Sequence, residues 1–282
     1  MPPRQYPSIR QRRFGGELRR LREAAGMSAP VAAQRLGADR TMISNIESGR
    51  FGISEERLRR LASIYECNDP GLIDALVGMT GGRTKGWWDE YRGKVPPDFL
   101  DVAELEYHAT GLRTLQTAHI PGLFQTEDHA RALFDLFVPA LPRLEVELRV
   151  AHRMARLDAI VGGEVQYIGL VHEAALRMRV GGPRVAKAQL LRLLEESERP
   201  NVRLLVIPFA VGGFPMAGDT VLYASAENPH LDTAEVDSPT GAVFFDSPTH
   251  LANFRRRLDL VEQVALTQEE SRNFMRDVIN EL

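Results

Sequence analysis

The 282-residue chain carries 35 Lys or Arg against 38 Asp or Glu, a formal net charge of -3, with 44% hydrophobic residues and a single cysteine. That composition belongs to a folded, water-soluble protein long enough for a small domain and a larger one; it holds no apolar run of membrane-spanning length and no signal-like apolar stretch after its Arg-rich start. Cys67 alone excludes an internal disulfide framework and a cysteine-based zinc cluster, so the cytoplasm is the expected compartment.

Residues 1–13 hold three prolines and four arginines without apolar periodicity, which predicts a flexible basic arm. Residues 14–78 then read as a five-helix domain, with helices at Phe14 to Ala25, Ser28 to Leu36, Asp39 to Ser48, Ser54 to Glu66 and Asp69 to Gly78. The stretch from Met27 to Arg50 has the spacing of a helix-turn-helix. Ala33 is small at the helix contact, Gly37 sits at the turn, and Ile43 and Ile46 hold the second helix down. Asp39 is placed to cap that second helix. With both isoleucines inward, Arg40, Thr41, Ser44 and Asn45 face outward and form a row of donors and acceptors suited to duplex DNA. Arg40, Thr41 and Asn45 are the expected base-reading residues, and Ser44 and Arg50 the expected phosphate contacts.

The glycine-rich segment from Met79 to Gly86 predicts a boundary, and residues 79–100 a linker with an aromatic junction built on Trp87, Trp88 and Tyr91. Lys85 is followed by Gly86 and not by Ser or Thr, so the segment lacks the pattern of a phosphate-binding loop.

Residues 101–282 alternate short apolar runs with longer helical periods, the mark of an α+β (mixed α/β) domain, and this domain is expected to be the regulatory and dimerising one. Strands are predicted at Thr114 to Ile120, Val165 to Val171, Val202 to Phe209, Thr220 to Ala224 and Ala242 to Phe245, the third nearly all apolar and therefore central. Helices are predicted at Phe99 to Thr110, Glu127 to Phe137, Leu144 to Val161, Arg184 to Arg199, Leu251 to Leu266 and Glu269 to Leu282. Thr267 and Glu270 are spaced as a capping box before the last of these.

Charge separates the two parts. Met1 to Gly78 carries 13 Arg or Lys against 9 Asp or Glu, a net +4; the remainder carries 22 against 29, a net -7. DNA attracts the first and repels the second.

No catalytic residue, metal site or cofactor is expected. His172 lacks the second helical histidine of a zinc hydrolase, His230 with Asp232 is only a local pair, and no serine stands in a nucleophile elbow. Arg255, Arg256 and Arg257 flank the apolar face Leu251, Phe254, Leu258 and Val261, and read as a solvated side of a helix. The loop from Val211 to Gly218, with Phe214 and Met216, reads as a connection or as a lid.

The segments LRRLREAAGMS and IESGR make the first eighty residues resemble the Xre or lambda-repressor-like regulators. One position departs from that family: Ala29 and Pro30 occupy the turn where a phosphate-contacting Gln is common. IPGLFQTEDHARALF from Ile120, EAALRMRVGGP from Glu173 and ERPNVRLLVIPF from Glu198 resemble the carboxy-terminal domain of WhiJ-like, Scr-type actinobacterial regulators. The resemblance implies a transcription regulator, a repressor or antitoxin-like protein, that works with a small protein partner. A homodimer on double-stranded DNA is expected, since one short recognition helix buries too little surface for operator affinity. The alternatives are a metabolite-sensing regulator with a small-molecule effector pocket in the carboxy-terminal domain and, behind it, an enzyme carrying a helix-turn-helix head.

Overall fold

The computed structural model describes residues 7–80, 86–161, 165–238 and 240–282, without the side chains of Arg40 and of residues 158–161. The chain divides into two compact units, one formed by Met1–Gly86 with Ser225–Asp232, the other by Trp87–Ala224 with Thr233–Leu282.

The first unit is helical: α1 (Ile9–Ala24), α2 (Ala29–Leu36), α3 (Arg40–Glu47), α4 (Glu55–Ile64) and α5 (Pro70–Met79). Helix α1 starts earlier than periodicity suggests. Ser8 and Gln11 close a capping box, the Ser8 Oγ accepting from the Gln11 amide while the Ser8 amide donates to Gln11 Oε1 at 3.1 Å. Residues Ile9 to Arg13, expected in a flexible arm, are therefore helical; the six residues before Pro7 lie outside the described residues. Arg13 is buried because Glu17 pairs with it at 3.1 Å and the Asp232 carbonyl accepts from its Nε at 3.2 Å. Asp232 belongs to the segment Ser225–Asp232, which also places Leu231 in the core of Phe14, Leu18, Ile43, Ile46 and Leu61.

The second unit contains α6 (Pro97–Tyr107), β1 (Gly111–Gln116), α7 (Glu127–Phe134), α8 (Arg143–Val161), β2 (Gln166–His172), α9 (Glu173–Arg177), α10 (Pro183–Glu196), β3 (Val202–Ile207), β4 (Val221–Ser225), β5 (Thr233–Ser238), β6 (Gly241–Phe245), α11 (Pro248–Val264) and α12 (Gln268–Asn280). The strands form one sheet in the order β3-β2-β1-β4-β5-β6. β1, β2 and β3 are parallel, Leu112 facing Tyr167 and Leu170 facing Leu205, whereas β4, β5 and β6 are antiparallel. This mixed sheet with its helices makes the unit α+β.

Side chains alternate across the sheet. Val202, Leu204, Val206 and Leu222 join a core with Leu190 of α10 and Met275 of α12, while Leu205, Ile207, Val221 and Tyr223 join Leu251, Leu258 and Val261 of α11 on the opposite face. β3 stands at the edge of the sheet and not at its centre, as its nearly all-apolar sequence suggested; it is apolar because both its faces are buried under helices, whatever its place in the strand order. Two elements were absent from the sequence reading, the strand β5 and the five-residue helix α9. β1 ends at Gln116, short of the expected Ile120, because the Ile120 carbonyl is taken by Gln125 Nε2 at 2.7 Å and the chain turns there. Thr267 and Glu270 do form a capping box at the head of α12. No helix among the described residues is long and apolar enough to cross a membrane.

In the first unit, α1 and α3 meet at Gly15. A Cβ there would lie 2.4 Å from the Glu47 carbonyl oxygen and 2.6 Å from that of Ile46, closer than backbone atoms allow. Gly15→Ala is therefore expected to lower the stability of this unit by about 1 to 3 kcal/mol, read as a lower urea midpoint for the unit's helical signal. An unchanged midpoint would show that α1 and α3 can separate at no cost.

Candidate nucleic-acid interface and a cavity in the second unit

The turn between α2 and α3 is built by local chemistry. Ser28 caps α2 by accepting from the Val31 amide, and Pro30 sits in its first turn, where a missing amide hydrogen costs nothing. Gly37 ends the helix at φ 73°, a left-handed conformation that glycine adopts without a Cβ penalty. Asp39 occupies the N-cap of α3 with extended backbone, but its side chain makes no capping hydrogen bond, contrary to the expectation from sequence. Ala33, Ile43 and Ile46 are each 1% exposed and join the core.

The helical period then turns the other face of α3 outward. Thr41 and Ser44 are exposed, Asn45 is half-buried, and Arg50 is exposed just beyond the helix. The backbone of Arg40 opens α3; its side chain lies outside the described residues. Arg22 of α1 fixes the far end of the helix, its Nε and Nη2 reaching the two Glu47 carboxylate oxygens at 2.6 and 2.9 Å while Nη1 donates to the Met27 carbonyl at 2.6 Å. The bond to Glu47 raises the Arg22 pKa against the opposing effect of burial. The guanidinium thus ties α1, α3 and the residue leading into α2 together.

Trp87, Trp88 and Tyr91 form a 3-10 turn at the start of the second unit. They cluster with Val95, Leu100 and Ala103, and Trp87 meets Trp88 edge-on at 6.0 Å. His152 of α8 lies 5.2 Å from Trp87 and 5.0 Å from Tyr91, and burial pushes it down to about 3, so it is a neutral core residue at physiological pH. His129 is likewise buried and pushed down to about 4. His172 serves as the N-cap of α9. Phe214 and Met216 pack against the core on the α11 face, and Arg255, Arg256 and Arg257 lie exposed on α11.

A cavity of about 460 Å³ opens in the second unit on the sheet face opposite α11, among β1, β4, β5, β6, α6 and α8. Its walls combine Phe99, Phe134, Phe137 and Leu222 with a group of charged side chains that the sequence reading did not single out. Alternation along β5 sends Ala234 and Val236 to the α11 face and Glu235 and Asp237 into the cavity.

On α8, Arg153 and Arg156 project from adjacent turns. Arg156 is held by Glu106 of α6, 2.9 Å from Nε to Oε2 with a second bond of 2.5 Å from Nη2 to Oε1. Arg153 has a different setting: Nη1 donates to Gln125 Oε1 at 2.6 Å and the guanidinium lies 4.6 Å from the Phe134 ring centre. Burial, and then the like charge of Arg156, push Arg153 down to about 9. Glu235 is 5% exposed, and its Oε1 has no hydrogen-bond partner. Burial, and then the neighbouring Asp237 carboxylate, push Glu235 up to about 9, so it is protonated at neutral pH. The signals in the sequence were the Glu-x-Asp alternation in TAEVDS and the Arg pair three residues apart on a helix.

Comparison with known proteins assigns both units. Residues 13–76 match a helix-turn-helix domain, which makes the chain a DNA-binding regulator. No curated protein and no solved structure matches the chain. Residues 99–277, more than half of its length, match the family described as a domain of unknown function, DUF5753, and the chain belongs to that family.

Proposed function

We propose that the protein is a sequence-specific transcription regulator that binds duplex DNA in the cytoplasm as a homodimer, with α3 of each copy in the major groove. The observation that carries this reading is the outward face of α3, where Thr41 and Ser44 are exposed above a helix anchored by Ile43 and Ile46. In this reading Arg40, Thr41 and Asn45 read base edges, and Ser44 and Arg50 hold phosphates. The net charge of +4 on Met1 to Gly78 supplies the attraction to the backbone.

The second unit is the regulatory part of this proposal. The resemblance to regulators of the Xre and WhiJ-like, Scr-type groups favours control by a small protein partner in a repressor or antitoxin-like pair, with Trp87, Trp88 and Tyr91 as the joint after the linker. The cavity beside Arg153 and Glu235 favours a second reading, control by a small-molecule effector. Either input acts by linkage: whatever binds the second unit with a DNA-dependent affinity changes DNA affinity by the same factor, typically about 1 to 3 kcal/mol.

Three measurements test the proposal. Asn45→Ala is expected to relax sequence preference, costing about 1 to 3 kcal/mol at the preferred site, and Arg50→Ala to weaken all sequences alike while reducing the salt slope by about 1. A preferred site unchanged in Asn45→Ala would remove the base-reading role. Light scattering should give a dimer at micromolar concentration, with footprints over two half-sites; a monomer on a single half-site would sink the dimer. Products of neighbouring genes should co-purify with the chain and bind with an affinity that DNA alters, and a DNA-independent affinity would defeat the partner reading.

A further inference from the structure

We propose that the cavity of the second unit binds a small zwitterion with an apolar body, an amino acid or short peptide, whose carboxylate meets Arg153 and whose ammonium meets Glu235 and Asp237. The proposal rests on the effector reading of this unit and names the ligand class.

The argument is one of unmet chemistry. A buried guanidinium ordinarily faces a carboxylate, because its charge is expensive to remove from water. Arg156 satisfies this with Glu106, using two bonds. Arg153 instead donates to a neutral amide, and that amide is itself held, since Gln125 Nε2 donates to the Ile120 carbonyl at 2.7 Å. Gln125 therefore presents its oxygen to Arg153 and orients the guanidinium without neutralising it. The Phe134 ring against the guanidinium adds a further restraint on its position.

The strand β5 supplies the opposite need. Glu235 and Asp237 stand on the same face two residues apart, and one carboxyl oxygen of Glu235 is unpartnered although the residue is 5% exposed. The charged groups around it are Glu106 of α6, Arg156 of α8 and Asp237 of its own strand. Arg153 and Arg156 both feel the Asp237 carboxylate as well as Glu106, so with Glu235 protonated the two guanidiniums balance Glu106 and Asp237 in charge, while the hydrogen bond of Arg153 goes to Gln125. An anion or a cation alone would upset that balance, whereas a zwitterion adds one charge of each sign. A zwitterion satisfies both ends, and Phe99, Phe137 and Leu222 take the apolar body between them. About 460 Å³ is room for a ligand of this size.

Proton balance gives a distinctive signature. Glu235 holds a proton in the free protein at neutral pH. An ammonium beside it favours the carboxylate, so binding should release protons to the buffer.

The test is isothermal titration calorimetry on the full chain at pH 7 with L-phenylalanine and L-leucyl-L-phenylalanine, the dipeptide's N-acetyl form and its carboxy-terminal amide. Binding of a free zwitterion is expected, weakened about tenfold or more when either end is blocked, with proton release seen as a difference in heat between phosphate and Tris buffers. In Arg153→Gln, the dipeptide and its amide should bind alike. If neither free zwitterion binds, or if the N-acetyl dipeptide binds as tightly as the free one, the proposal is overturned. The blocked ligands act on the unaltered protein, so the test survives a variant that fails to fold. Operator binding without ligand is measured separately, so a failure here is distinct from a failure of the DNA-binding reading.

Discussion

The constraint on which the first unit depends is the shortness of its recognition helix. Eight residues of α3, with a cap position whose side chain makes no capping bond, do not form a stable helix in water; tertiary contacts must supply what local propensity lacks. They do so at both edges of the helix. Gly15 lets the α1 backbone approach the carbonyls of Ile46 and Glu47, and Arg22 clamps the Glu47 side chain while holding the Met27 carbonyl. An Arg–Glu pair with side chains 10% and 8% exposed is costly to desolvate, and cutting one partner leaves a buried charge. Its value lies in geometry: it fixes the orientation of the second helix of the helix-turn-helix.

The helix-turn-helix was legible because every signal in it is local. Gly37 at a left-handed turn and two isoleucines three residues apart each act within a few residues, and the structure places them in those roles; Ser28, expected inside the second helix, is instead its N-cap. Asp39 shows the limit of that logic, for the residue type favours a cap but the side chain does not form one. Most of the second unit's elements were legible for the same reason, notably the apolar run of β3 and the Thr267–Glu270 box. β5 was not. Its sequence, Thr-Ala-Glu-Val-Asp-Ser, carries two acidic residues and little β-branched character, so it reads as a loop until its neighbours are known. The return of Ser225–Asp232 to the first unit was equally hidden, because no local pattern marks Leu231 as a core residue of helices nearly two hundred residues earlier.

The invisibility of β5 and the character of the cavity have one cause. An interior strand of a sheet covered on both faces is normally apolar on both sides, and β5, between β4 and the edge strand β6, keeps this rule only with Ala234 and Val236. Its other side carries Glu235 and Asp237, whose burial costs stability even with Arg153 and Arg156 nearby and holds Glu235 protonated. A fold that needed only a core would be better served by apolar residues there. The departure from the pattern thus marks the buried charge that lines the cavity: positions where sequence reasoning fails for lack of hydrophobicity are those where the fold tolerates such charge.

The chain passes from the first unit straight into β5. Thr233 opens β5 directly after Asp232, whose carbonyl accepts from Arg13 of α1 and whose side chain accepts from the Ala226 amide. Glu235 is three residues further along. Any ligand that changes the ionisation of Glu235 changes the charge on a strand whose preceding residues are built into the core that also holds Ile43 and Ile46. The core that seats Ile43 and Ile46 thus also holds Leu231, two residues before β5 begins.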